Sequence, residues 1–165
     1  MINLPATPQI ALAQAIAPAL ELLPGVMDSP EACVLLLAIG AQESGYLTRQ
    51  QVGGPAHGLW QNESPVQQLL LNNPASAALV QQLCAQRCVD ALPMAMYEAL
   101  LADDVFAAGI ARLILWCNPN PLPEIGDVQG AWDYYLDTWR PGRPRPDSWN
   151  GNYAAALGAI TGEGA

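Results

Sequence analysis

The chain has 165 residues and a mass of 17.5 kDa, enough for one domain with a core of its own and too short for two of ordinary size. Hydrophobic residues make up 52% and charged residues 13%, against roughly 25% charged in an average soluble domain, which excludes an intrinsically disordered chain. Fifteen Asp and Glu stand against six Arg, one His and no Lys, for a net charge of -9. A nucleic-acid binder needs a basic footprint, and none exists outside a short stretch near the end, so nucleic acid is not an expected partner.

The longest apolar run, Cys33 to Ala41, falls far short of the roughly 20 residues of a spanning helix, so no membrane insertion is expected. No Lys or Arg precedes Arg49; the positive start of a secretory signal is missing, and synthesis in the cytoplasm without classical export is the expectation. Cys33, Cys84, Cys88 and Cys117 could form two disulfides or serve as small apolar core residues in a reducing compartment, and the reduced reading is preferred. Cys84 and Cys88 lie one helical turn apart, but zinc would need two more placed ligands, so neither a metal site nor a cofactor is expected.

In chain order, Thr7-Pro8 opens a first helix that ends at Pro24-Gly25 and kinks near Pro18. Ser29-Pro30-Glu31 is a clearer start, with Ser as N-cap, Pro at the first helical position and an acid in the first turn. The helix it opens is apolar on all sides from Cys33 to Ile39 and stops at Gly45, as a helix buried in the centre of a domain does. Tyr46 to Gln61 has no period and contains Gly53-Gly54-Pro55 and Gly58, the mark of a shaped loop or small hairpin.

Ser64-Pro65 repeats the start signal for a short helix, which Asn73-Pro74 breaks before another from about Ala75 to Cys88. Pro93 to Leu101, Asp104 to Cys117 and Val128 to Thr138 are further helical patterns, and Asp147 or Ser148 caps a last helix through Tyr153 to Ile160. Between the last two, the prolines of Arg140-Pro141-Gly142-Arg143-Pro144-Arg145 hold the chain extended. The tail from Thr161 to Ala165 reads as frayed. Helical patterns without strand alternation give an all-α (mainly α) single domain over 1–165.

A carboxylate on the last turn of an all-apolar helix is costly, because desolvation and the helix's negative end both oppose ionisation. Both raise the pKa of Glu43, which is what a general acid needs to hold its proton near neutral pH and deliver it to a leaving oxygen. The plainer alternative is a carboxylate facing water beside Gly45. Other enzyme classes lack their motifs: there is no His-Glu-x-x-His, no Gly-rich phosphate loop, no Gly-x-Ser-x-Gly, and the one His has no nearby nucleophile.

Ala38-Ile39-Gly40-Ala41-Gln42-Glu43-Ser44, followed by Gly54-Pro55-Ala56-His57-Gly58-Leu59-Trp60-Gln61, resembles the catalytic core of lytic transglycosylases and goose-type lysozymes. Those families place a Glu-Ser at the end of a buried helix, then a loop ending in a Gly-Leu-Met-Gln-like motif. Glu43 and Gln61 stand 18 positions apart, similar to the spacing in soluble lytic transglycosylases. The resemblance covers about 25 residues of 165. It implies a lysozyme-like domain, with the buried helix ending at the catalytic Glu, a loop or hairpin lining the cleft, and cleavage of the β-1,4 bond between N-acetylmuramic acid and N-acetylglucosamine.

Carried over, Glu43 is the catalytic acid/base, Ser44 supports it by hydrogen bonding, and Gly58, Leu59 and Gln61 line the cleft, with glycine admitting the glycan close to the backbone. The family's Met is Trp60 here, a sugar-stacking or core residue, and His57 is a substrate contact or a surface residue. The family's later Tyr-Asn pair has no clean copy. Asn152-Tyr153 holds similar residues in altered order and Tyr134-Tyr135 is a second candidate, so Tyr134 and Tyr153 are candidate site residues, each with a core role as the alternative. Three Trp and three Tyr between Trp132 and Tyr153 would suit sugar stacking on one wall of a groove.

A two-carboxylate hydrolase needs a second acid, for which Glu63 is the nearest candidate; if it only begins the helix after Ser64-Pro65, a single-acid transglycosylase is favoured. The resemblance further implies a bacteriophage setting, as a virion or tail component or a released endolysin acting on peptidoglycan strands. A chitinase-like enzyme and a non-catalytic wall-binding or virion protein of the same fold are the alternatives. A net charge of -9 argues against electrostatic capture by an anionic wall, and Arg140, Arg143 and Arg145 mark where an electropositive cleft wall would lie.

Overall fold

The computed structural model describes residues 1–162, and its architecture is helical, with no pairing among the described residues beyond two isolated antiparallel bridges. Of the tail expected to fray, Thr161 closes the last helix and Gly162 caps it, while residues 163–165 lie outside the described residues.

The first helical stretch comprises α1 (Pro8–Ala11), a π turn (Leu12–Ile16) and α2 (Ala17–Leu20). Pro18 has no N–H and its ring would strike the carbonyl four residues back. The backbone widens instead of breaking: Ala17 N–H reaches five residues back to Leu12 O, and the expected kink takes the form of this π turn.

The helix α3 (Pro30–Glu43) begins as its sequence dictates, with Ser29 Oγ accepting from Ala32 N, Pro30 at the first position and Glu31 in the first turn. It is buried without interruption from Val34 to Gly40, and each of its large aliphatic side chains contributes roughly 1.5–3 kcal/mol of transfer free energy. Helices α7 (Asp104–Trp116) and α9 (Pro146–Thr161) and the π turn pack against it, which explains why it has no polar face. A Cβ at Gly40 would stand 2.5 Å from Tyr46 Oη, which donates to Leu37 O at 2.8 Å; glycine is required here for the turn after α3 to fold back onto it.

Helix α4 (Pro65–Asn72) packs on α5 (Ala77–Gln86) and α6 (Pro93–Ala102), which both pack on α7, and α8 (Val128–Trp139) rests on α9. Two expected caps are corrected. Ser64 has helical backbone angles and makes no capping bond, so Pro65 alone sets the start of α4. Neither Asp147 nor Ser148 caps α9, which already begins at Pro146; Ser148 Oγ bonds Gln42 Oε1 and Arg145 O instead.

All four cysteines are free thiols. Burial, assisted at Cys33 by Asp28, pushes Cys33 and Cys84 up to about 11, so both are protonated at neutral pH. The N-terminal segment is pinned to the body: Ile2 N donates to Asp104 Oδ2 at 2.7 Å, and Arg49 Nε and Nη2 reach Asp104 at 2.6 and 2.8 Å. Arg49 Nη2 also donates to Ile2 O at 2.6 Å.

Candidate active site

A cleft of about 770 Å³ opens where α3 ends. Glu43 lines it together with Gln51, Ala56, Gln61 and Asn62 of the loop, Glu63, Pro65 and Val66 at the start of α4, Thr138 and Trp139 at the end of α8, and Arg140 to Arg143 with Arg145 beyond it. The volume lies within the roughly 300–1,000 Å³ of ordinary ligand clefts.

Glu43 is half-buried, and Tyr135 Oη of α8 donates to its Oε1 at 2.6 Å. Burial raises the Glu43 carboxyl above its ordinary value, while the Tyr135 hydrogen bond and then the Arg145 guanidinium pull it partly back. The direction is the one expected from the apolar helix, and desolvation is its cause. Tyr135 is pushed up in turn by burial and by the neighbouring carboxylate, so the phenol keeps its proton and stays a donor. A carboxyl poised in this way can give a proton to a bound oxygen and take one back.

Gln42 had no assigned role in the sequence, and Tyr135 was named only within the Tyr134-Tyr135 pair. Gln42 is 1% exposed, its Nε2 donates to Arg145 O at 2.9 Å, and its Oε1 accepts from Ser148 at 3.0 Å and Asn152 at 2.7 Å. Its backbone carbonyl also accepts from Arg145 Nη2. The residue before Glu43 thus clasps the arginine segment to the end of α3; a buried amide must find such partners, and that requirement was its legible signal. Tyr135 was one step from the named Tyr134. It lies four positions before Trp139, on the same face of α8, and Trp139 lines the cleft and donates from Nε1 to Trp60 O at 3.0 Å.

The loop motif builds the cleft from behind more than it lines it. Ser44 is buried and donates from Oγ to Gly40 O at 3.1 Å and Leu59 O at 2.7 Å, tying the loop to α3. Leu59 and Trp60 are both 0% exposed; Trp60 Nε1 donates to Leu36 O at 2.8 Å, so Trp60 is a core residue and not a stacking platform. Gly58 has φ +75°, and a Cβ there would stand 3.2 Å from Leu100 O; its glycine serves the approach to α6, and no glycan contact is needed to explain it.

His57 is buried, stacks on Tyr97 at 3.8 Å, and its Nδ1 lies 3.2 Å from Tyr97 O. It therefore braces the loop against α6, and its surface reading is corrected. Of Gly58, Leu59, Trp60 and Gln61, Gln61 lines the cleft, with Nε2 donating to Gly58 O at 2.7 Å.

Glu63 is exposed and lines the same cleft as Glu43. Tyr134 and Tyr153 do not reach Glu43: Tyr134 Oη donates to Leu115 O at 2.9 Å and Tyr153 Oη accepts from Gly126 N at 3.0 Å. Nor do the C-terminal aromatics form an open sugar wall. Tyr135, Trp149 and Tyr153 are buried, and Trp132 packs on Tyr135 and on Trp149, each at 5.3 Å; Trp139 is the one of these six that lines the cleft. No family model, no curated protein and no solved structure matches the chain.

Proposed function

We propose that this protein is a lysozyme-like glycosidase that cuts the β-1,4 bond between N-acetylmuramic acid and N-acetylglucosamine, acting as a lytic transglycosylase with Glu43 as its acid/base. The observation that carries the reading is a half-buried carboxyl with a raised pKa, held by Tyr135 at the end of a buried helix, in a cleft of about 770 Å³. Ser44 joins that helix end to the Gly58-Leu59-Trp60-Gln61 loop through Leu59 O, so the two halves of the sequence resemblance meet in space.

In this mechanism the protonated Glu43 gives its proton to the glycosidic oxygen as the bond breaks. The carboxylate then removes a proton from the muramoyl ring's own C6 hydroxyl, which closes onto C1 to leave a 1,6-anhydro end. No cofactor takes part. The setting that goes with the reading is a virion or tail component, or an endolysin, of a bacteriophage.

A second reading has its own support. Because Glu63 lines the same cleft, it could hold a water on the opposite face of the sugar, and the enzyme would then be an inverting lysozyme. Zymography on purified peptidoglycan with the native protein and Glu43→Gln tests the enzyme; clearing by the native protein alone is expected, and equal clearing by both refutes the role of Glu43. Mass spectrometry of the released fragments separates the two readings: anhydro ends are expected, and reducing ends alone would establish hydrolysis.

A further inference from the structure

The cleft carries a charge pattern that acid/base chemistry does not require. Of the six arginines in an otherwise acidic, lysine-free chain, Arg49 and Arg87 pair with Asp104 and Asp103, and Arg112 is buried at 3% exposure. The remaining three, Arg140, Arg143 and Arg145, are exposed, make no ion pair among the described residues, and all line the cleft that holds Glu43. Like charges crowded into one short segment repel, and of the three only Arg145 stands close enough to Glu43 to be offset by it.

The segment is held in place. Pro141, Pro144 and Pro146 restrict its backbone, Arg140 sits in a left-handed turn at the end of α8, and Gln42 grips Arg145 from the residue next to Glu43. On the loop side of the same cleft, Asn62 is 4% exposed and its Nδ2 has no acceptor. Arg140 and Arg143, on this held backbone and without acid partners beside an open cleft, are suited to carboxylates by their planar donor forks.

We infer that Arg140 and Arg143 form a carboxylate-recognition subsite, which restricts the cleft to acidic aminoglycan and rejects the neutral N-acetylglucosamine polymer. The inference rests on the glycosidase reading and deepens it, since the muramic acid units of peptidoglycan carry carboxylates that chitin lacks. Those carboxylates have two sources, the lactyl group on the sugar and the peptide attached to it.

The test is binding of Glu43→Gln protein, which keeps the ligand intact, to three hexasaccharides: chitohexaose, peptide-free N-acetylglucosamine–N-acetylmuramic acid with free lactyl groups, and the same chain bearing stem peptides. At least one acidic hexasaccharide is expected to bind about tenfold more tightly than chitohexaose, weakening with added salt. Adding Arg140→Ala and Arg143→Ala should erase that preference while chitohexaose affinity stays, and Lys at both positions should restore it in part. Tight binding of the peptide-free acidic chain assigns the lactyl group as the source; tight binding only of the stem-bearing chain assigns the peptide. Equal affinity for all three, no binding to any, or a preference that survives the double substitution overturns the inference. Cleavage by the native protein is scored separately: binding selectivity without cleavage leaves the subsite and removes the glycosidase, and unselective cleavage does the reverse.

Discussion

Tyr135→Phe isolates one contact of the site. The phenol Oη donates to Glu43 Oε1 at 2.6 Å, whereas the ring stacks on Trp149 at 5.3 Å and 14° and packs on Trp132, so phenylalanine removes the bond and keeps the packing. A hydrogen bond to a charged group contributes about 1.5–3 kcal/mol, and the half-buried site places this one toward the lower end. Since 1.36 kcal/mol corresponds to one pH unit, the titration midpoint of Glu43 should rise by about one pH unit in the variant. The sign follows because the bond stabilises the carboxylate against the burial that raises it. Carbon-13 NMR of the Glu side-chain carboxyls, with the Glu43 resonance assigned by its loss in Glu43→Gln, reads the midpoint directly and does not depend on turnover. If the midpoint stays in place or falls, the bond does not hold the Glu43 carboxylate and the account of the site is wrong.

The same carboxyl makes stability depend on pH. With its pKa raised in the fold, Glu43 keeps a proton that the unfolded chain has already lost between the ordinary glutamate value and its own, so stability falls as pH rises through that window. Glu43→Gln should therefore gain stability over the native protein from pH 4 to pH 8 in urea titrations, and a gap that does not change with pH would contradict the burial argument. Gly40→Ala places a Cβ 2.5 Å from Tyr46 Oη and should cost about 1–3 kcal/mol, while Gly25→Ala, where a Cβ meets nothing within 4 Å, should leave the melting temperature in place; similar losses in both would refute the packing of Tyr46. Asp104→Ala leaves Arg49 and the Ile2 amide without their acceptor and should cost about 3–5 kcal/mol by chemical denaturation; a loss under 1 kcal/mol would show the cluster to be weakly coupled.

The helices were legible wherever a local signal fixes an end. Ser29-Pro30 started α3 because cap and proline act within one turn, and α7 begins at Asp104 behind the cap of Asp103. Ser64 and Ser148 carried the same residue type and failed as caps, Ser64 because its own backbone is helical and Ser148 because a distant amide, Gln42, claimed its hydroxyl. Glu43 could be found because a carboxyl at the end of a wholly apolar helix is costly in any fold. Its partner could not be chosen between Tyr134 and Tyr135, as only the rotation of α8 about its axis separates one facing Leu115 O from one facing Glu43. Trp60 and His57 misled for the opposite reason: side chains suited to sugars are equally suited to cores, and the contacts that placed them inward come from α3 and α6, remote in sequence.

The Arg49–Asp104–Ile2 cluster joins the start of the chain to the first residue of the loop ladder behind the cleft, since Arg49 O accepts from Gly58 N at 2.7 Å and the next pairing is Gln50 with His57. The amides of Ile2, Gly58 and Asn62 should consequently lose their hydrogens to solvent in one shared opening event rather than three, with Ile2 exchanging as slowly as the wall of the cleft. A fluctuation that frees the terminus is then the same fluctuation that slackens the groove.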